Sequence, residues 1–327
     1  MLVHLPCLHH AQPQVIIPTV FSYTFRPKRL SGQILTIGKP IRKVQPVKTL
    51  MQLIKHVLDD AYRSIHTTDE AEKDKSITKE LEALSREYGR LTNSKAKPID
   101  YSDPLKRFAY IYKYTVAHAD YIMQLISFCP QLRKLLARKS VEVACLGGGP
   151  GSDLLGVLKH MIQTQSKETC LTCYIFDKER AWGDSWSDVA RCLEAPFRVY
   201  PVFQQMDVTD SSTWESYSKF LRADLFTLSY FLSEVWQIRA KAEPFFNHCF
   251  AHMKTGGLVL FIDNNSPVFF NWFDALAKRH KLESIKTGNT TLAFSNDEEK
   301  TDLGMYFKKF GWPKRKGDVA YRVMRKA

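Results

Sequence analysis

The chain has 327 residues, of which 44% are hydrophobic and 25% are charged. This length fits a catalytic domain with an extension, and the composition excludes the fibrous and the wholly disordered classes. No run approaches the roughly 20 apolar residues needed to cross a bilayer, so we predict a protein with no membrane partner.

The net charge of +13 is distributed unevenly along the sequence. No acidic residue precedes Asp59, and the C-terminal tail is again rich in lysine and arginine. Such a charge favours polyanionic partners through the release of counterions, and nucleic acid is the commonest of these. We therefore predict RNA as the partner, with a solvated basic surface that has no partner as the alternative.

Residues 1–47 are predicted to form a basic arm without long helices, because six prolines interrupt them. The missing acidic residues would also suit a mitochondrial transit peptide, although serines are few and no amphipathic arginine helix is evident. The seven cysteines are odd in number and lie mostly in apolar stretches, which is typical of reduced intracellular proteins. We expect a location in the cytoplasm or nucleus, with the mitochondrion as the alternative.

Metal binding is not predicted. Cys170 and Cys173 have the spacing of half a zinc site, but no second pair follows at a suitable distance. The histidines near the N-terminus, His4, His9 and His10, also lack companion ligands.

Residues 48–139 are predicted to be mainly helical. Apolar residues from Leu50 to Ala61 recur every three or four positions, which is the pattern of an amphipathic helix. A charged stretch, residues 69–79, is predicted to separate this helix from a second one near Leu84.

Asp103 and Pro104 predict the start of a long aromatic helix, because aspartate caps helix N-termini and proline suits the first helical position. Several aromatic residues lie near one side of it: Tyr110, Tyr114, His118 and Tyr121. Such a stripe is more often core than functional, and a helix that leads into a sheet can also close over a ligand. Both interpretations stay open at this point.

From residue 140 to residue 327, short apolar runs alternate with helical segments, which predicts a doubly wound α/β sheet. The seven predicted strands are residues 141–146, 173–176, 199–204, 225–229, 258–262, 290–294 and 319–324.

The strongest local signal is the glycine-rich turn that follows the first predicted strand. Gly147, Gly148, Gly149 and Gly151 stand between a buried strand and a helix, so backbone amides can approach a ligand without interference from side chains. The turn alone fits several nucleotide cofactors, nicotinamide and flavin dinucleotides included.

Acidic residues at the ends of the next two strands make the pattern more specific. Asp177 follows the second strand, where a carboxylate can accept both hydroxyls of a ribose. Met206 and Asp207 follow the third strand, and the fourth strand ends at Ser229 and Tyr230.

Taken in order, these segments resemble the class I S-adenosylmethionine-dependent methyltransferase family, over roughly residues 140–327. The resemblance implies a seven-stranded sheet with S-adenosylmethionine as cofactor, the glycines at its methionine end, Asp177 at the ribose, and Met206 with Asp207 at the adenine. The residues predicted to bind the cofactor are Gly147, Gly148, Gly149, Gly151, Asp177, Lys178, Met206, Asp207 and Ser229.

Two residues of the turn bear on this resemblance. The family often has an acidic residue two positions before the first glycine, where this chain has Cys145. Pro150 fits poorly with a dinucleotide-binding turn, in which helix and strand close tightly around a pyrophosphate.

The acceptor of the methyl group is harder to read, because methyl transfer requires few reactive side chains. The Asn/Asp-Pro-Pro-Tyr motif of adenine and cytosine amino-group methyltransferases is absent, as is the Pro-Cys pair of covalent pyrimidine methylation. By the resemblance Ser229 and Tyr230 line the transfer site. Glu234 is interpreted as a base or as a group that orients the acceptor, with a cap of the following helix as the equal alternative. The predicted function is methylation of RNA, with a protein or small-molecule methyltransferase, or a non-catalytic cofactor-binding scaffold or sensor, as alternatives.

Overall fold

The structure is a computed structural model, and it describes residues 48–67, 69–93, 97–164, 169–193, 195–215, 217 and 219–327. All of these residues lie within one compact unit, residues 46–327. The predicted basic arm, residues 1–47, falls outside the described residues.

Eleven α-helices are present in the described residues. They are α1 (Leu50–Ser64), α2 (Glu70–Tyr88), α3 (Pro104–Tyr110), α4 (Val116–Phe128), α5 (Pro130–Leu136), α6 (Ser152–Gln163), α7 (Trp182–Cys192), α8 (Phe231–Val235), α9 (Arg239–His252), α10 (Pro267–Arg279) and α11 (Met305–Phe310). None of the helices in these residues combines the length and the apolarity that a bilayer span requires.

Seven strands form a single sheet. They are β1 (Ser140–Leu146), β2 (Cys170–Asp177), β3 (Arg198–Gln205), β4 (Leu225–Ser229), β5 (Leu258–Asn264), β6 (Leu282–Ala293) and β7 (Lys316–Lys326). Their order is β3-β2-β1-β4-β5-β7-β6. β7 pairs antiparallel with both of its neighbours, β5 and β6, and the other neighbouring strands pair in parallel. The predicted fold class, a seven-stranded doubly wound sheet with a helical N-terminal extension, is confirmed.

The sheet order differs from that of dinucleotide-binding folds, in which six parallel strands follow the order 3-2-1-4-5-6. Here the antiparallel β7 lies between β5 and β6. The carboxyl ends of β1, β2, β4 and β5 still meet at one edge, which is where ligands bind in open α/β sheets.

One predicted strand was too short. Residues 290–294 cover only the end of β6, which begins at Leu282. Most residues of β6 are half-buried or exposed, because β6 is an edge strand, so its polar sequence gave no apolar run to recognise.

The first two helices show how local sequence sets the extension. α1 begins with a capping box, in which Thr49 and Gln52 satisfy each other's backbone N–H groups. The charged stretch 69–79, predicted to separate two helices, is instead the first half of α2. The Asp69 carboxylate accepts the N–H groups of Ala71 and Glu72, and so starts the helix before the charges.

The aromatic helix begins as predicted, with Asp103 accepting the Leu105 N–H and Pro104 in the first turn. It continues through a π-helical segment, Ile111–Thr115, into α4. Single π-helical turns often occur at functional sites.

Two apolar cores lie on the two faces of the sheet. Residues such as Val143 and Cys145 of β1 face the core that contains α1 to α7. Their neighbours Ala144 and Leu146 face the core that contains α9 and α10. The N-terminal extension therefore shares a core with one face of the sheet.

Lys159 of α6 lies at the centre of a buried ion cluster that joins distant parts of the chain. Its ammonium nitrogen is 3.0 Å from Asp120 Oδ1, 2.7 Å from Glu298 Oε1 and 3.2 Å from Asp297 Oδ1. The side chains of Asp120 and Glu298 are fully buried. The oxygens of these three carboxylates are close enough together for a metal ion, and the lysine supplies the positive charge among them.

Backbone and hydroxyl groups complete this cluster. Glu298 accepts the N–H groups of Leu50 and Met51 at the start of α1, both at 3.1 Å. Asp120 accepts the N–H and the hydroxyl of Ser295, both at 2.9 Å. The cluster thus connects α1, α4, α6 and residues 295–298.

Lys159→Met is expected to lower the free energy of unfolding by about 3–5 kcal/mol, since it leaves two buried carboxylates without their cation. The measurement is urea-induced unfolding at pH 7. The matched control is Arg325→Met, which removes the exposed pair with Glu283 and should cost less than about 1 kcal/mol. Equal losses in the two variants would contradict the structural role of the cluster.

Candidate active site

The glycine-rich turn connects β1 to α6 in a conformation that requires glycine. Gly147, Gly149 and Gly151 have left-handed φ angles of 64°, 50° and 88°. The Gly148 N–H donates to the Phe176 carbonyl at 2.9 Å, and this bond holds the turn against the end of β2.

The glycines of the turn differ in what surrounds them. A methyl group placed on Gly147 would collide with the ring of Phe231, and one on Gly151 would lie 2.6 Å from the ring of Trp186. At Gly149 the nearest atoms are 4.0 Å away, one on Asp177 and one on Trp182. Gly148 is also tightly packed, since a methyl group on it would lie 2.9 Å from Ile175. The turn is therefore open only at Gly149.

Asp177 points towards this opening. Its Oδ2 accepts the Gly149 N–H at 3.0 Å, and its Oδ1 accepts the Glu179 N–H at 2.9 Å. Burial raises the pKa of Asp177 to about 6, and these backbone hydrogen bonds oppose the shift. The structure thus places the predicted ribose-binding carboxylate at the centre of the glycine-rich turn.

The predicted adenine-binding residues follow directly. The Met206 N–H donates to the Asp177 carbonyl at 2.8 Å, and the Met206 side chain is buried. Asp207 pairs at 2.9 Å with Lys178, whose side chain is 76% exposed. Burial would raise the pKa of Asp207, but hydrogen bonds from Lys178 and Thr209 outweigh it and the pKa is lowered.

The end of β4 carries a strained residue. Tyr230 has a φ of 58°, in the left-handed region that residues other than glycine seldom adopt. Its N–H donates to the Ile262 carbonyl at 2.8 Å, and its carbonyl accepts the Ser233 hydroxyl at 3.0 Å. Strain of this kind is concentrated at functional sites.

Both residues predicted at the transfer site are buried. The Ser229 hydroxyl has no hydrogen-bond partner among the described residues. The ring of Tyr230 stacks on His118 of α4, with ring centroids 3.8 Å apart and planes 12° apart. The aromatic helix therefore covers the end of β4.

Glu234 of α8 does not cap its helix. Its Oε1 accepts the hydroxyl of Tyr101 at 3.0 Å and also the hydroxyl of Tyr88. Burial raises the pKa of Glu234 to about 8, although the Tyr88 hydrogen bond opposes this and the charge of Asp177 adds to it. The helix-cap alternative is thus wrong, and Glu234 is a half-buried carboxyl group that contacts the N-terminal extension.

Aromatic residues of the extension also border the opening at Gly149. The rings of Tyr101 and Tyr110 lie 5.4 Å and 5.6 Å from the ring of Trp182. Trp182 is itself one of the two residues nearest to Gly149. The aromatic stripe of the sequence therefore faces the site and is also part of the core.

Asp153, in the first turn of α6, is a buried carboxylate that the sequence reasoning missed. Its Oδ2 has no hydrogen-bond partner among the described residues. Burial raises the pKa of Asp153 to about 7, and the nearby hydroxyls of Thr227 and Ser229, themselves without a hydrogen-bond partner among the described residues, oppose the shift. The available signal was an acidic residue two positions after Gly151.

Asp153 lies near Cys145, the position at which the resemblance implies an acidic residue. Burial, the thiol of Cys173 and the charge of Asp153 raise the pKa of the Cys145 thiol. The carboxylate near this position belongs to α6.

Comparison with known proteins finds similar solved structures only. No family model and no curated protein matches the chain. Among solved structures, the chain is similar to a candidate RNA methyltransferase of Pyrococcus horikoshii, at 14% identity over 76% of this chain and 96% of that one, with a TM-score of 0.40.

Two further solved structures are similar in the same way. One is an S-adenosylmethionine-dependent methyltransferase of Methanosarcina mazei, at 11% identity over 60% of this chain and 97% of that one (TM-score 0.40). The other is an arsenic(III) methyltransferase of Chlamydomonas reinhardtii, at 12% identity over 61% and 74% (TM-score 0.36). These neighbours are methyltransferases. Two of their descriptions name an acceptor, RNA in one and arsenic(III) in the other.

Glu234→Gln is expected to change how stability depends on pH. The folded chain holds a proton on Glu234 up to about pH 8, whereas the unfolded chain releases it near the ordinary pKa of 4.5. The wild type therefore loses stability as the pH rises between these values. Glutamine does not titrate and still offers an oxygen to Tyr88 and Tyr101.

The measurement is urea-induced unfolding at pH 5, 7 and 9. The stability of the variant relative to the wild type should increase by about 1 kcal/mol or more over this range, since one pKa unit corresponds to about 1.4 kcal/mol. Glu283→Gln, at an exposed position, should show no such trend. Parallel pH curves for Glu234→Gln and the wild type would contradict a half-buried, protonated Glu234.

Proposed function

We propose that the protein is an S-adenosylmethionine-dependent methyltransferase that acts on RNA. The observation that carries this proposal is the opening at Gly149, with the Asp177 carboxylate beside it. A glycine-rich turn followed by a carboxylate on the next strand suits the phosphate-free nucleoside of this cofactor. The family resemblance of the sequence supports the same choice.

The residues present fit the cofactor. Asp177 would accept the ribose hydroxyls, and Met206 with Asp207 would border the adenine. At the methionine end, the unpartnered oxygen of Asp153 would accept the cofactor's ammonium group. This carboxylate would take over a contact that Cys145 cannot make.

The cofactor supplies an electrophilic methyl group on a positively charged sulfur. The chain's part is to position the acceptor and to remove a proton where one must leave. Ser229 and Tyr230 would line the acceptor position, and Glu234 would accept the proton once it is ionised. Because the pKa of Glu234 is raised to about 8, it would be a stronger base than an exposed carboxylate.

In this proposal the N-terminal extension excludes water from the site. Tyr101 and Tyr110 pack against Trp182 at the edge of the opening. A dry site strengthens every charge interaction within it. The extension would therefore belong to the catalytic machinery.

Three alternative functions predict other results in the experiment described below. A dinucleotide-binding enzyme is disfavoured by Pro150 and by the antiparallel β7 within the sheet. A protein or small-molecule methyltransferase and a non-catalytic sensor share the same cofactor site. The net charge of +13 favours RNA over a protein or a small molecule as the acceptor.

The direct test is to incubate the purified protein with tritium-labelled cofactor and with fractionated cell RNA, protein and metabolites. We expect label in the RNA fraction. Label only in protein or metabolites would contradict the RNA proposal. Cofactor binding by calorimetry with no transfer to any fraction would point to the sensor.

Gly149→Arg should reduce cofactor affinity at least tenfold, about 1.4 kcal/mol, because the side chain would fill the opening. The matched control is Gly256→Arg. Gly256 also has a left-handed φ, of 80°, and open space around it, but it lies in the turn before β5. Isothermal titration with the cofactor should separate the two, and equal losses would show that Gly149 matters only for folding.

A further inference from the structure

Residues 312–316, between α11 and β7, carry a lysine at the transfer site. The Lys314 N–H donates to the Lys113 carbonyl at 2.9 Å, which fixes the segment against the aromatic helix. The ammonium nitrogen of Lys314 lies 5.3 Å from the ring centroid of Tyr230 and 5.5 Å from that of Tyr114. Within the described residues, Lys314 makes no ion pair.

Other hydrogen-bonding groups near Lys314 are also unsatisfied. The hydroxyls of Tyr121 and Tyr230 and the Nε2 of His118 are buried without a partner among the described residues. A methyl group placed on Gly317 would lie 3.4 Å from both Lys314 Cε and the Tyr230 hydroxyl. Buried polar groups are normally hydrogen-bonded, so such a group in a native structure calls for a missing partner.

The electrostatics favour an anion at this position. Burial lowers the pKa of Lys314, and Lys113 adds to the shift while the nearby carboxylate of Asp263 opposes it. Asp263 is occupied, since it accepts the N–H groups of Ser233 and Asn264. A bound anion would stabilise the charged form of Lys314.

Neighbouring residues of the same segment line a surface groove with aromatic and basic side chains. Trp312 is 40% exposed, and the guanidinium of Arg315 lies 5.2 Å from its ring centroid. Trp312, Arg315 and the exposed Lys316 line a cavity of about 570 Å³. The acidic residue that also lines it, Glu298, already pairs with Lys159.

We propose that residues 312–316 bind a single-stranded segment of the RNA substrate, with Lys314 on the phosphate next to the target nucleotide and Trp312 stacked on a neighbouring base. This inference rests on the proposed function and adds to it the position of the acceptor strand. A small acidic metabolite would use Lys314 but not the surface groove. A cationic groove that also holds an aromatic ring is the combination by which proteins bind single strands.

The test uses the full chain and a fluorescein-labelled single-stranded RNA 20-mer of mixed sequence, with fluorescence anisotropy at two salt concentrations. Trp312→Ala and Lys314→Ala should each weaken binding about tenfold. Lys314→Ala should also reduce the salt slope by about 0.7, and Lys314→Arg should restore most of the affinity. The control is Lys241→Ala, which removes an exposed lysine from α9 and should change affinity less than about twofold.

Calorimetry with S-adenosylmethionine should give the same cofactor affinity for all four variants, which shows that they are folded. If the wild type binds the RNA and methylates RNA but the Trp312 and Lys314 variants bind it as tightly, the groove is elsewhere and only this inference is overturned. If the wild type binds the cofactor but neither binds nor methylates RNA, the proposed RNA substrate also fails. Equal binding of a labelled polyglutamate peptide would identify a general anion site and would overturn the RNA assignment of the groove.

Discussion

The buried ammonium of Lys159 is the interaction on which the arrangement of the site depends. It holds Asp120 of the aromatic helix and Glu298 together, and Glu298 in turn accepts the first N–H groups of α1. The N-terminal extension is thereby joined to the sheet by charge as well as by apolar contacts. Since Tyr88 and Tyr101 belong to that extension, their hydrogen bonds to Glu234 rely on the same connection.

The candidate cofactor site collects carboxyl groups that are buried or half-buried. Burial raises the pKa values of Asp153, Asp177 and Glu234. Groups of this kind favour a cationic ligand, because a positive charge offsets both their desolvation and their mutual repulsion. A sulfonium nucleoside that also carries an ammonium group has that character. The basic surface and the acidic interior would then select different molecules, a polyanion outside and a cation within.

The sequence was sufficient to predict those structural features that depend on residues close together in the chain. The glycine-rich turn needs left-handed φ angles that only a run of glycines supplies easily, and Asp103 with Pro104 forms a helix start within three residues. The central strands were found because they are apolar along their length. The fold class and the candidate cofactor turn could therefore be predicted from the sequence.

The features of the site that could not be predicted depend on residues that are far apart in the chain. Lys159 and Glu298 are separated by 139 positions, and Tyr88 and Glu234 by 146, so no spacing in the sequence reveals either contact. Asp153 looked like an ordinary first-turn acid until the fold placed it beside Thr227 and Ser229. The charged start of α2 was misread because the charges obscured the cap at Asp69.

The π-helical turn at Ile111–Thr115 has a consequence for how this helix can change. It separates Tyr110, which contacts Trp182, from His118, which stacks on Tyr230. A π-helical turn closes over one more residue than an α-helical turn, so deleting one residue here would tighten the turn and leave the two halves in nearly the same rotation. Tyr110 and His118 would then both keep their contacts, whereas a deletion in the regular part of the helix would rotate one half by about 100°. Single-residue changes in length should therefore be tolerated better in this turn than in the α-helical segments on either side.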